Sequence, residues 1–293
     1  MCPTRFQIAR PDIVRYFYGL GRRVFKRRDL GQVLAKERAS WRLATSMSLD
    51  KFVEELERRT KLRRVTLGLP QGQKVVRYLW GDASDFELVL SLQPRAYLSH
   101  YTALYLHELT GRVPKAIYVN SEQHAHPRGR PVLDQEDIDS AFAKPVRVTH
   151  NIATYHGRRI CLLNGKYTGR LGVTEIQEAS GQRFLSVTDI ERTLIDCTVR
   201  PIYAGGVYEV LEAFRSAQGR ISINRLAATL KKMEFLYPYH QAIGFYLERA
   251  GYPDGALRLL SKFEMRYDFY LTHEIKERGY STRWRLYFPK AME

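Results

Sequence analysis

SMSLDKFVEELERRTKLRRVTLGLPQGQKVVRYLW, residues 46–80, carries two periodicities in succession. Leu49, Phe52, Val53 and Leu56 recur at about 100° per residue, which predicts a helix running to about Thr60. Thr45, Ser46 and Ser48 stand before it as acceptors for the first free N–H groups, and its other face carries Lys51, Glu54, Glu55 and Arg58. From Leu62 the period changes. Leu62 to Leu69 and Lys74 to Trp80 are strand-like, and Pro70-Gln71-Gly72-Gln73 between them is a turn, so the pair is expected to form a hairpin.

Upstream, Pro11 suits the first position of a helix whose apolar face is Ile13, Val14, Phe17 and Leu20. A basic run, Arg22, Arg23, Lys26, Arg27 and Arg28, leads to a second short stripe of Leu30, Val33 and Leu34. Three helices followed by a basic hairpin are the arrangement of a winged helix-turn-helix. The leading end of the third helix would face a major groove, and the hairpin would lie along the neighbouring backbone. The candidate DNA contacts are Arg27 and Arg28, then Ser46, Ser48, Lys51 and Arg58 on the helix, and Arg64, Lys74 and Arg77 on the hairpin, with Arg63 nearby. The same pattern also suits a protein-binding winged helix, and the acids Glu54, Glu55 and Glu57 speak for that alternative.

The charge of the chain is distributed accordingly. Its 293 residues include 47 Lys and Arg against 31 Asp and Glu, a net charge of +16. Residues 1–80 hold 19 of the basic and 7 of the acidic residues, net +12, so three quarters of the excess sits in the first quarter of the chain. Such a block is the electrostatic footprint of a protein that meets phosphates. With 44% hydrophobic residues, the chain can bury a core and is not a disordered or fibrous polymer. No apolar run reaches membrane-spanning length, and Met1 to Arg10 do not read as a signal peptide. Cys2, Cys161 and Cys197 lack disulfide or zinc spacing, so a soluble protein of the reducing cytoplasm is expected.

Gly81-Asp82-Ala83-Ser84-Asp85 breaks the pattern, and the junction is placed there: 1–83 a winged-helix domain, 84–293 a larger mixed α/β domain, overall α+β. In the second part, helices are expected from Ser99 to about Thr110, Gly206 to Ala217, Ser222 to Met233, Tyr239 to Ala250 and Gly255 to Lys262. Strands are expected at Ala116 to Asn120, Arg159 to Asn164, Leu171 to Gln177, Arg183 to Val187, Met265 to Leu271 and Thr282 to Phe288, with a long loop from Ser121 to Asp139. Thr188-Asp189-Ile190-Glu191 has the T-x-x-E form of a capping box and opens a helix through about Val199.

No sequence feature supports catalysis. His124, His126, His150 and His156 show no defined set of metal ligands. Asp137-Ile138-Asp139 is a D-x-D pair of the kind that holds magnesium in nucleotidyltransferases, without the upstream Gly-Ser that would hold a triphosphate. Glu175-Ile176-Gln177 is similar to a nuclease E-x-K, with glutamine where lysine is needed. Phosphate loops, nucleophile elbows and H-E-x-x-H zinc helices are missing, and His107-Glu108 is only half of the last. Arg192 and Asp196, at i and i+4, are expected to form an ordinary ion pair beside a packed Cys197. No catalytic residue, metal or cofactor is expected.

Three stretches together point to a family. They are LSHYTALYLH at 98–107, with Pro114 after it, VTDIERTLID at 187–196, followed by Arg200-Pro201 and Gly205-Gly206, and YHQAIGFYL at 239–247. In these the chain resembles the AbiEi antitoxins of type IV toxin–antitoxin systems, along essentially its whole length. The resemblance implies a bacterial repressor that binds inverted repeats in the promoter of its own operon as double-stranded DNA. It also implies antagonism, direct or indirect, of a nucleotidyltransferase-like toxin, with the E-R-T-L-I-D run as scaffold. Two other readings compete: a module that docks the toxin or another acidic partner without specific DNA binding, and a degenerate metal-dependent nuclease or nucleotidyltransferase resting on Asp137, Asp139 and Glu175.

Overall fold

The computed structural model describes residues 3–125, 132–178 and 183–293. The first part runs α1 (Arg5–Gly19), β1 (Val24–Phe25), α2 (Arg27–Glu37), α3 (Leu49–Arg59), β2 (Leu62–Gly68) and β3 (Lys74–Trp80). The expected start at Pro11 is six residues late. Thr4 caps α1 by accepting from Gln7 N, and Pro11 sits inside the helix. Phe6 and Ala9 extend the buried face of Ile13 and Phe17 by two turns, and that burial outweighs the hydrogen bond lost at the proline.

The second part opens with α4 (Asp85–Leu90), β4 (Tyr97–Leu98), α5 (His100–Leu106), β5 (Ala116–Glu122) and α6 (Gln135–Phe142), the last beginning inside the expected loop of Ser121 to Asp139 and running past its end. Next come β6 (Ile152–Tyr155), β7 (Arg158–Gly165), β8 (Val173–Gln177), β9 (Phe184–Thr188) and α7 (Ile190–Val199). The chain ends with α8 (Val207–Ser216), α9 (Ile223–Met233), α10 (Tyr239–Arg249), α11 (Asp254–Ser261), β10 (Phe269–Tyr270), β11 (Arg278–Ser281) and β12 (Leu286–Pro289). The fold is mixed α+β.

One sheet of nine strands, ordered β1-β3-β2-β6-β7-β5-β4-β9-β8, joins the two parts; β10-β12-β11 form a small second sheet. The join is a single register pair, Gly68 of β2 with Thr154 of β6. Because side chains alternate along a strand, the hairpin serves two cores. Leu62, Tyr78 and Trp80 pack with Phe6, Ile13, Phe17, Phe25 and Phe52 under the first three helices. Leu67 and Leu79 point the other way, into a core with Leu88, Val89, Ile117 and Ile160. Helices α7 to α11 enclose a third core around Leu194, Phe214, Tyr246 and Trp284.

The capping box at 188–191 is corrected by one residue. Asp189 is the N-cap and accepts from Arg192 N at 2.8 Å. Thr188, still in the strand, pairs its hydroxyl with that of Thr193 at 2.7 Å. Glu191 turns away to a different helix, accepting from Ser222 N at 2.8 Å and from Arg225 at 2.6 Å. Buried strand pairing holds Thr188 in the sheet, which leaves the first free helix donors to the next residue able to reach them.

Candidate nucleic-acid interface

The segment before α3 is built to present its leading end. Trp41 and Leu43 are buried anchors, and Arg38 donates to the carbonyls of Ala44 and Thr45, both at 2.9 Å. That clasp fixes the approach of Ser46 and Ser48, both exposed. Ser48 is the N-cap, its hydroxyl accepting from Lys51 N at 3.3 Å, so the hydroxyl hydrogen remains available to a ligand. Arg38 was not among the expected residues. Its role depends on the path of the turn at 39–47, for which the sequence carries no periodic signal.

The nine expected contacts divide by their surroundings. Ser46, Ser48, Lys51, Arg64 and Lys74 are exposed, and the three cations among them form no ion pair with any described residue. Arg28 is exposed and 3.8 Å from Asp29. Arg27 reaches Asp50 at 2.7 Å, linking the start of α2 to the start of α3, and that hydrogen bond raises its pKa. Arg58 is paired with Glu55, which also binds Arg59. A surface pair of this kind is exchangeable for a phosphate at little cost, since exposed ion pairs contribute only about 0–1 kcal/mol.

Arg77 does not belong with the others. It is 8% exposed, and its guanidinium donates to the Ser91 hydroxyl at 3.0 Å and the Ser91 carbonyl at 2.9 Å. Burial lowers its pKa from the ordinary guanidinium value. Lys74, Val76 and Tyr78 share one face of β3, and Arg77 lies on the other, where Ser91 at the end of α4 closes over it. It clamps the hairpin to the second part and cannot line a groove.

The residues considered for metal or catalytic chemistry are not brought together. Asp139 accepts from Gln135 at 2.8 Å and from the Tyr270 hydroxyl at 3.0 Å, while Glu175 lies exposed on the edge strand β8. Asp137 is the residue whose N–H the α6 cap Asp134 accepts. Among the described residues no group of three His, Cys, Asp or Glu is placed to hold a metal ion; His126 and Cys2 lie outside them. Cys161 and Cys197 are buried, and burial raises the pKa of both thiols. His107 donates its Nε2–H to the Thr188 carbonyl at 2.6 Å and ties the end of α5 to β9.

The E-R-T-L-I-D run places Glu191, Arg192, Thr193 and Asp196 in the interior. Arg192, 4% exposed, donates to Asp196 at 2.8 Å and to the Leu171 carbonyl at 2.6 Å. Burial opposes its charge, but Asp196, Tyr97 and Glu122 together outweigh that effect and the guanidinium pKa is raised. Gly172, at φ +70°, passes so close that an added Cβ would lie 2.7 Å from the Arg192 Cβ. With Glu191 holding α9, the run ties a helix, a strand turn and a second helix together.

No family model and no curated protein matches the chain. Among solved structures, the chain is similar to the crystal structure of the RV2827C protein from Mycobacterium tuberculosis, with a TM-score of 0.58 and 16% sequence identity. The likeness covers 98% of this chain and 92% of that one, so the whole fold is shared. Among the described residues no helix is long and apolar enough to cross a membrane.

Proposed function

We propose that this protein is a DNA-binding antitoxin, with residues 1–83 as a winged helix that represses its own operon and residues 84–293 antagonising a nucleotidyltransferase-like toxin. The DNA half is supported by one observation above the rest: Lys51 at the leading end of α3 and Arg64 and Lys74 on the hairpin are exposed cations without a carboxylate partner among the described residues. The order α1-β1-α2-α3-β2-β3, with β1 pairing β3, supports the winged-helix reading of residues 1–83. The antitoxin half rests on the family resemblance of the three stretches in the second part. No catalytic step belongs to this proposal.

A salt series tests it. The full chain is titrated with the duplex immediately upstream of its gene and with a scrambled duplex. Preference for the upstream duplex by about a thousandfold is expected, and Lys51→Glu should remove most of it. Equal, weak binding of both duplexes would overturn the repressor. A second reading, docking of the toxin without specific DNA binding, is favoured by the exposed Glu54 and Glu57 on the later turns of α3, which repel phosphate. Co-elution with the neighbouring gene product, together with no preference between duplexes, would support it.

A further inference from the structure

The hairpin does not end in solvent on its β2 side. Lys74 of β3 is opposite Gly68 of β2, Gly68 is opposite Thr154 of β6, and Thr154 is opposite Arg159 of β7. Residues directly opposite in register share a face, so Lys74, Gly68, Thr154 and Arg159 form one row across the sheet. All four are exposed. Helices α1 to α3 cover this face at Tyr78 and Trp80, and Tyr203 covers it at Tyr118, 5.6 Å between ring centroids. The row lies between those covered ends.

Arg159 forms no hydrogen bond or ion pair with any described residue, whereas its neighbour Arg158, on the other face, is 3.5 Å from Asp85. Thr66, Gly68 and Thr154 at the centre are small and uncharged, and the row carries no carboxylate. With strands about 4.8 Å apart, Lys74 and Arg159 are separated by about 14 Å, roughly four phosphate steps along one DNA strand at 3.4 Å of rise each. We propose that DNA bound at the hairpin continues onto this sheet, with Arg159 in the second part of the chain as a phosphate contact and Gly68 and Thr154 as the flat floor between. This inference rests on the DNA-binding reading above.

Gly68 gives a test in the direction of gain. Nothing lies within 4 Å of a Cβ added there, so Gly68→Lys places a new cation midway along the row without displacing a neighbour. The full chain and its Gly68→Lys, Arg159→Ala and Lys51→Glu variants are titrated with the upstream duplex over a salt series. Gly68→Lys is expected to steepen the slope of log K against log salt by about 0.9 and to tighten binding several-fold, and Arg159→Ala to flatten it by the same amount. A misfolded variant cannot produce the tightening. If the wild type prefers its duplex and Lys51→Glu abolishes that preference, while Gly68→Lys and Arg159→Ala leave the slope unchanged, the extended track is wrong and the repressor stands. A wild type that binds no DNA overturns both.

Discussion

Lys74 and Arg77 are three residues apart on one strand and meet different surroundings. Lys74 faces solvent, and Arg77 is closed under Ser91 with its donors satisfied. Arg77→Ala should therefore act on folding: loss of the clamp would remove the guanidinium's hydrogen bonds to the half-buried Ser91 hydroxyl and carbonyl, at a cost of about 1–3 kcal/mol. Urea denaturation should show a lower midpoint, while the salt slope for DNA stays that of the wild type. A flattened slope with unchanged stability would return Arg77 to the groove. The alternation that separates 74, 76 and 78 from 75, 77 and 79 is legible in the sequence. What is not legible is that the second face has a cover, because that cover is supplied by α4 and the strands beyond it. The candidate cations of α3 and the hairpin tip were readable because their exposure follows from local periodicity alone.

At the scale of elements, caps and apolar stripes located most helices, and the errors have identifiable causes. Ser48 caps as its position suggests, whereas Thr188 is held by strand pairing and yields its place to Asp189. Short strands such as β1 and β4, two residues each, have no period to read and exist because a neighbour pairs with them. Helix α10 shows tertiary packing overriding propensity. Replacing a mid-helix glycine by alanine ordinarily stabilises by about 1 kcal/mol. At Gly244 the new Cβ would lie 2.2 Å from the ring of Trp284, which is fully buried and anchored by its Nε1 to Glu248 at 2.8 Å. Overpacking of that kind costs about 1–3 kcal/mol or more, so Gly244→Ala should lower the urea midpoint, and a raised midpoint would show that the ring can move.

For the whole molecule, the buried His100 and the half-buried His107 and His240 contribute to the response to acid. Burial holds His100 and His240 at a pKa of about 4 and also lowers that of His107, against 6.5 for a free ring. Between those values the unfolded chain binds more protons than the folded one, so stability is full above pH 6.5 and falls as the pH drops toward 4. His100 alone should remove about 2 kcal/mol at pH 5. Urea midpoints measured from pH 7.5 to 5 should decline through that window, and a flat profile would mean that these rings are solvated in the folded chain. The sequence by itself determined the features that short-range physics controls: the helix and hairpin at 46–80, the basic bias of the first eighty residues, and most of the later helices. Only the tertiary structure decided that Arg77 is covered, that the hairpin joins the second part in one nine-stranded sheet, and that Arg159 stands in the row of Lys74. Strand register between segments some eighty residues apart depends on long-range packing of both faces, and no local period in the sequence encodes it.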